Sequence, residues 1–148
     1  MNPEQIRAFQ VKVMDEVYNK LNADAVDKYF AEDFVNHNPA MPKVCNREDL
    51  KKWLRTLAKA YPNNISGTID DILVEGDQYA VRWTFHGTGK GILLGVDVTG
   101  KEATSPGMCI FRLKNDKIAE QWWAYDMLGF AQQLGIIPLP GQAAKAKK

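Results

Sequence analysis

The feature that most constrains the fold is a change of hydrophobic period at Ile65. Before it, apolar residues recur at intervals of three and four, which predicts amphipathic helices. After it, apolar and polar residues alternate in short runs, which predicts strands. A chain that is helical first and strand-rich afterwards is typical of an α+β domain, in which helices cover one face of a sheet.

Three helices are predicted in the first part of the chain. The first covers IRAFQVKVMDEVYNKL, and its apolar face consists of Ile6, Phe9, Val13, Val17 and Leu21. A short second helix runs through Ala25 to Phe30. The segment FVNHNPAMPKVC then predicts a loop, because its prolines and asparagines end helices. The third helix, NREDLKKWLRTLAKAY, begins at the N-cap Asn46 and ends before Pro62.

Short turns join the predicted strands. Glu75-Gly76-Asp77, Thr99-Gly100-Lys101 and Lys114-Asn115-Asp116 each separate two extended runs, so the neighbouring strands must be antiparallel. Four glycines interrupt the extended segment that follows Phe85. Glycine within a strand marks bends or close approach, which predicts a curved sheet with a concave interior where a ligand pocket is expected.

Composition narrows the function and the location. With 148 residues and a formal charge of +1, a single domain over residues 1–141 is expected, with no basic surface for nucleic acid. Residues 142–148 are predicted to be a flexible lysine-rich tail. The charged N-terminal segment does not resemble a signal peptide, no apolar run is long enough to span a membrane, and two isolated cysteines fit a reducing compartment. A cytoplasmic location is the expectation.

Asp126 is the first candidate for chemistry. It lies in QWWAYDMLG, directly after three aromatic residues and before an apolar run. Strand alternation places it on the face of Trp122; if that face lines the interior, desolvation would raise the pKa of the carboxyl and make it a usable acid or base near neutral pH. Asp126 is equally placed to N-cap the helix that begins with MLGFAQQLG. The two roles are compatible, and the local sequence leaves both open.

Two histidines and one arginine are further candidates. His37, between two asparagines in VNHNP, could orient a substrate oxygen or only fix the loop. His86 ends the strand RWTFH and is a weaker candidate. Arg82 interrupts an apolar strand, so it either extends to solvent or pairs with an acid in the cavity.

Familiar cofactor and metal motifs are absent from the sequence. GTGKG at residues 87–91 lacks the spacing of a phosphate-binding loop and is not followed by a helix pattern. No spacing of Cys, His, Asp or Glu resembles a zinc site, and no GxSxG motif occurs. Chemistry without metal or cofactor is therefore the expectation, if the chain is an enzyme.

Several stretches together resemble the SnoaL-like polyketide cyclases, a family with the nuclear transport factor 2-like fold. They are YFAEDFVNHNP, RWTFHGTG, G-x-x-x-TGK, FRLKNDKIAEQW and D-x-L-G-x-x-QQLG, and they keep the family's order over residues 5–137. The resemblance implies a cone-shaped α+β barrel whose strongly curved, mostly antiparallel sheet wraps around the N-terminal helices. It also implies a homo-oligomer, a dimer or tetramer, packed through the sheet.

The resemblance further implies an activity. In the cyclases, an aspartate at the position of Asp126 removes a proton next to a carbonyl and returns one, without a metal or cofactor. Asp126 is thus the predicted catalytic acid/base and His37 a second catalytic or pocket residue, acting on a hydrophobic carbonyl compound. The family's usual histidine after GT is replaced by Gly89. The predicted substrate-binding residues are Trp53, Arg82, Trp83, Phe85, His86, Met108 and Trp122, as alternatives, because only one strand face lines the pocket.

Two other functions stay open. The same cone could hold an apolar molecule without turning it over, with Asp126 only capping its helix. A limonene-type epoxide hydrolase requires an Asp-Arg-Asp set, for which Arg82 and Asp126 could supply two members, while Thr84 stands where the second acid is needed.

Overall fold

Helices occupy the first part of the chain and strands the second in the computed structural model, which describes residues 1–138 and residue 141. The predicted tail, residues 142–148, lies outside the described residues. The helices are α1 (Pro3–Val13), α2 (Val26–Tyr29), α3 (Arg47–Ala60) and α4 (Met127–Gln133). The strands are β1 (Phe30–His37), β2 (Ile65–Glu75), β3 (Gln78–Thr88), β4 (Ile92–Leu93), β5 (Val96–Asp97), β6 (Glu102–Lys114) and β7 (Lys117–Tyr125).

The first predicted helix consists of two helical forms. α1 begins at Asn2, whose side chain accepts from the Gln5 backbone N–H at 2.9 Å while the Gln5 side chain accepts from the Asn2 backbone N–H at 2.8 Å. From Met14 to Asn19 the chain continues as a π-helix. This wider turn contacts β2 and carries the buried side chain of Tyr18. Such turns occur frequently at functional sites.

Five strands form one sheet in the order β1-β7-β6-β3-β2. β1 runs parallel to β7 and the other neighbours are antiparallel. The α+β class and the mostly antiparallel sheet are therefore confirmed. The sheet is open, since β1 and β2 are its two edges, and α3 packs beside β1 while the π-helix packs against β2. Strands β4 and β5 form a separate two-stranded hairpin, so the turn at Thr99-Gly100-Lys101 does not join two paired strands as the sequence predicted.

The segment around β1 corrects the predicted loop. The second helix ends at Tyr29, and Phe30–His37 forms an edge strand that takes in the first four residues of the expected loop FVNHNPAMPKVC. Two of its side chains, Phe34 and Asn36, are buried. Asn36 is held by its own hydrogen bonds, because its Nδ2 donates to the Val44 carbonyl at 2.6 Å. A polar residue at an inward position hides the alternation on which strand prediction depends.

A β-bulge in β7 decides which side chains face the helices. Leu113 pairs with Ile118 and Arg112 with Glu120, so Ala119 is an extra residue in β7. Beyond the bulge, Cys109 pairs with Trp123. The inner face of the sheet therefore carries Trp123, and its sequence neighbour Trp122 lies on the outer face.

Candidate functional site

A cavity of about 170 Å³ lies between the helices and the inner face of the sheet. β3 contributes Trp83 and Phe85 to its wall, and β7 contributes Trp123 and Tyr125. The opposite wall comes from the apolar stripe of α3, from Tyr18 of the π-helix, and from α4. These elements meet because each turns its apolar face to the same side of the sheet.

Aromatic rings form a connected cluster along one side of the cavity. The ring of Trp83 lies 4.8 Å from Phe85 and 5.6 Å from Trp123, measured between centroids. Tyr18 meets Trp123 edge-on at 5.9 Å, and Trp123 meets Tyr125 edge-on at 6.0 Å. Edge-to-face contacts of this kind fix ring orientations as well as burying area. The wall is therefore well ordered and leaves little freedom for rings to swing aside.

Most polar atoms next to the cavity already have partners. Trp123 Nε1 donates to Asn36 Oδ1 at 2.9 Å, and Trp83 Nε1 donates to Cys109 Sγ at 3.3 Å. Gln121 Nε2 donates to the Tyr18 hydroxyl oxygen at 3.4 Å, and Gln121 Oε1, although buried, has no hydrogen-bond partner. Tyr18, whose hydroxyl oxygen accepts in this contact, also lines the cavity.

Burial keeps the two cavity tyrosines neutral. Desolvation raises the pKa of Tyr18 well above its usual range, with the nearby Cys109 thiol adding to the shift. Burial also raises the pKa of Tyr125, and a hydrogen bond with Asn38 opposes that shift in part. Both hydroxyls are therefore protonated at physiological pH and act as hydrogen-bond donors.

Charged side chains do not reach this cavity. Among the described residues, those that line it include no Asp, Glu, His, Lys or Arg. Its polar members are the amides of Asn36 and Asn38, the hydroxyl of Ser105 and the two tyrosines. The site is suited to an apolar guest with few hydrogen-bonding groups.

Asp126 lies in the chain between two residues of the cavity wall and caps a helix. Its Oδ1 accepts from the Gly129 backbone N–H at 2.7 Å, which makes it the N-cap of α4, as one reading of the sequence predicted. Its side chain is exposed, while both sequence neighbours, Tyr125 and Met127, line the cavity. The face of Trp122 is the outer face, so Asp126 is not desolvated among aromatic residues in the way that the alternation allowed.

Four of the predicted site residues lie on the outer face of the sheet. Arg82, Met108 and Trp122 line a shallow groove of about 360 Å³ there. His37 stacks on Trp122 with 5.1 Å between ring centroids, and its Nε2 lies 2.8 Å from Glu120 Oε1. Arg82 is exposed and lies 3.4 Å from Asp70. The structure therefore does not bring Arg82, His37 or Trp122 to the inner cavity.

Three other predicted residues do line the cavity, and one lies apart. Trp53, Trp83 and Phe85 form part of its wall. His86, exposed near the end of β3, has its Nδ1 3.0 Å from the Thr104 hydroxyl. A role in substrate binding stays a prediction for all four.

Tyr18, Trp123 and Tyr125 were missed by sequence reasoning. Tyr18 lies off the apolar stripe expected for a regular helix, because the π-helix shifts the register of the residues that follow Val13. The inward orientation of Trp123 and Tyr125 depends on the bulge at Ala119. The apolar run Val81-Trp83-Phe85 identifies the inner face of β3, but no comparable signal in β7 separates Trp122 from Trp123.

The described residues contain no group of three or more His, Cys, Asp or Glu side chains that could hold a metal ion. Within the same part of the chain, no helix is both long and apolar enough to cross a membrane.

A family model matches most of the chain. The model of the SnoaL-like polyketide cyclases aligns with residues 9–134, from α1 to the end of α4. The chain belongs to the SnoaL-like polyketide cyclase family. The resemblance seen in the sequence motifs is thereby confirmed, and the open α+β fold is that of a SnoaL-like protein.

Solved structures of three other proteins superpose on this chain over most of its length. TsrD from Streptomyces laurentii is 26% identical, with a TM-score of 0.80 over 93% of this chain and 99% of that one. AclR from Streptomyces galilaeus, a candidate hydroxylase, is 22% identical, with a TM-score of 0.81 over 93% of this chain and 86% of that one. IdmH from Streptomyces antibioticus, a candidate polyketide cyclase, is 24% identical, with a TM-score of 0.75 over 88% of this chain and 99% of that one. The last two comparisons show the fold alone. A search of curated proteins found no match.

Proposed function

We propose that the protein binds a hydrophobic carbonyl compound in the inner cavity and acts on it as a cofactor-independent cyclase, isomerase or lyase. The observation that carries the proposal is the aromatic, uncharged cavity in a chain of the SnoaL-like family. Such a cavity removes the reacting carbonyl from water, where hydrogen bonds to a developing enolate oxygen are strongest.

Asp126 is the proposed acid/base of this reaction. It is the acidic residue whose two sequence neighbours, Tyr125 and Met127, both line the cavity. An exposed carboxylate between two residues of the cavity wall can take a proton from the edge of a bound ligand. The hydroxyl of Tyr18, kept protonated by burial, would donate to the carbonyl oxygen.

Proton abstraction can be tested without knowing the natural substrate. We expect the wild-type protein in D₂O to accelerate the exchange of the methyl protons of acetophenone for deuterium, followed by proton NMR. Asp126→Asn should abolish that acceleration, because an amide cannot accept the proton. Asn is also a favoured N-cap, so the melting temperature should change by no more than a few degrees.

Two results would contradict this assignment. Exchange at the wild-type rate in Asp126→Asn would show that another group is the base. A large loss of stability with unchanged exchange would leave Asp126 a structural cap. Glu102→Gln, an exposed carboxylate whose residue does not line the cavity, is the matched control and should exchange like the wild type.

A binding module is the second candidate, and a specific observation favours it. Asp126 already uses Oδ1 to cap α4, and the cavity wall is free of carboxylates among the described residues. Under this alternative, acetophenone binds equally to wild type and Asp126→Asn, and neither protein accelerates exchange. The limonene-type epoxide hydrolase has no such support, since Arg82 points to the outer face and pairs with Asp70.

Assembly through the outer face of the sheet is part of the proposal. Leu73, Met108 and Ile110 expose 67%, 58% and 47% of their area beside the groove that Trp122 lines. Contiguous exposed apolar side chains on a sheet favour contact with another protein surface. A second copy related by two-fold symmetry would present the same apolar face and cover it.

A further inference from the structure

We infer that the ligand of the inner cavity is a neutral molecule about the size of a single six-membered ring with a short substituent. This inference rests on the proposed function, because it names the class of molecule that the same cavity accepts. It is carried by the volume of the cavity, by the chemistry of its wall and by the contacts that hold that wall in place.

Volume sets the upper size of the guest. The cavity measures about 170 Å³. An engineered apolar cavity of about 150 Å³ in another protein binds benzene, so one ring and a substituent of one or two heavy atoms fill a space of this size. A molecule of four fused rings is larger than this space.

The wall resists expansion to a larger guest. Trp83 is packed between Phe85 and Trp123, and its Nε1 donates a hydrogen bond to Cys109 Sγ. Its ring also lies directly over Gly107, at a place where even a Cβ on residue 107 would overlap it. Close-packed rings with fixed hydrogen bonds cannot move apart without losing these contacts.

The chemistry of the wall selects against charge. A carboxylate or ammonium group in the cavity would meet no side chain of opposite charge among the described residues that line it. Burying an unpaired ion is far more costly than burying a neutral carbonyl. A neutral acceptor oxygen, in contrast, can accept a hydrogen bond from a tyrosine of the wall, Tyr18 or Tyr125.

The mouth of the cavity limits the substituent. Leu94, in the turn between β4 and β5, and Ile136, after α4, both line the cavity and are exposed. They form an apolar rim, so a short alkyl or acyl group leaving the ring towards solvent still meets apolar surface.

A graded series of four probes tests the inference. Acetophenone is the neutral one-ring probe, benzoate its charged counterpart, 2-acetonaphthone a two-ring ketone and tetracene-5,12-dione a four-ring ketone. Binding is measured by calorimetry and by quenching of tryptophan fluorescence. We expect acetophenone to bind about a hundredfold more tightly than benzoate. The four-ring ketone should not compete with acetophenone.

Enlarging the cavity should change the preference in a defined direction. Leu57 lies on the α3 wall, and Leu57→Ala removes three heavy atoms from the cavity side. The variant should gain affinity for 2-acetonaphthone relative to acetophenone by about tenfold. Leu128→Ala, an exposed leucine of α4 that does not line the cavity, is the matched control and should keep the wild-type ratio.

The outcomes separate this inference from the proposed function. Tight binding of the four-ring ketone, or equal binding of benzoate, would overturn the ligand class and leave acid/base chemistry by Asp126 possible. Binding of acetophenone without proton exchange would support the ligand class and contradict catalysis on it. Should Leu57→Ala fail to fold, the wild-type series alone still decides. Absence of binding by every probe would overturn both.

Discussion

At the scale of single residues, the same side-chain type has opposite properties according to its surroundings. Cys45 is exposed, and its Sγ lies 3.0 Å from the Pro42 carbonyl. Cys109 is buried in the inner face of β6, where desolvation raises the pKa of its thiol to about 12, against the hydrogen bonds from Trp83 and Gln121. Because the thiolate is the reactive form, the two cysteines should differ sharply in reactivity.

We therefore expect 5,5′-dithiobis(2-nitrobenzoic acid) at pH 8 to modify one thiol of the native protein. With a pKa of about 12, Cys109 is thiolate in only about one molecule in ten thousand at that pH, and it is also shielded from the reagent. Denaturant should make the thiol of Cys109 react as well. Cys45→Ser should abolish the fast reaction of the native protein. Equal modification of both thiols in the native protein would contradict the burial of Cys109.

At the scale of elements, the bulge in β7 gives two adjacent tryptophans different roles. Trp122 faces outwards and stacks on His37, whereas Trp123 faces the cavity and donates to Asn36. If β7 paired with β6 without a bulge, Trp122 instead of Trp123 would lie opposite Cys109 and face inwards. The bulge thus positions the aromatic wall of the site, as bulges near functional sites commonly do.

The adjacent pair provides its own matched control. Trp123→Ala should lower the free energy of unfolding by roughly 2 kcal/mol or more, because it opens a void and leaves Asn36 Oδ1 without its donor. It should also weaken acetophenone binding by about tenfold. Trp122→Ala should leave acetophenone affinity unchanged. Denaturant unfolding measures the stability of each variant, and calorimetry measures its affinity for acetophenone. A loss of affinity in Trp122→Ala and not in Trp123→Ala would show that β7 is paired in the other register.

At the scale of the whole molecule, the sheet separates two surfaces of different use. Its inner face holds the proposed ligand, and its outer face carries the exposed apolar residues of the proposed dimer contact. Outer-face residues that the sequence analysis assigned to substrate binding, such as Met108, belong with the second surface. A sheet with apolar side chains on both faces requires cover on both sides.

Charge on the outer face should therefore disrupt assembly. We expect the wild-type chain to elute as a dimer in size-exclusion chromatography with light scattering, and Ile110→Lys to shift it towards the monomer. Ile92→Lys places the same charge on an exposed isoleucine of β4, away from the sheet, and should remain dimeric. A monomeric wild-type protein, or the same shift in both variants, would contradict a dimer through this face.

The sequence by itself determined the α+β class, the helix bounds near Asn46 and Pro62, the hairpin turns at Gly76 and Asn115, and the family, because periodicity, caps and turn residues act over a few neighbouring positions. It also named Trp53, Trp83 and Phe85 among the alternative wall residues, and these three line the cavity. Only the tertiary structure showed that β1 is a strand parallel to β7 and that a π-helix turns Tyr18 inwards. It also showed that Trp123, and not Trp122, faces the cavity. The physical reason is register: one extra residue in a strand or helical turn exchanges the buried and exposed faces, and its position is set by pairing with a distant segment.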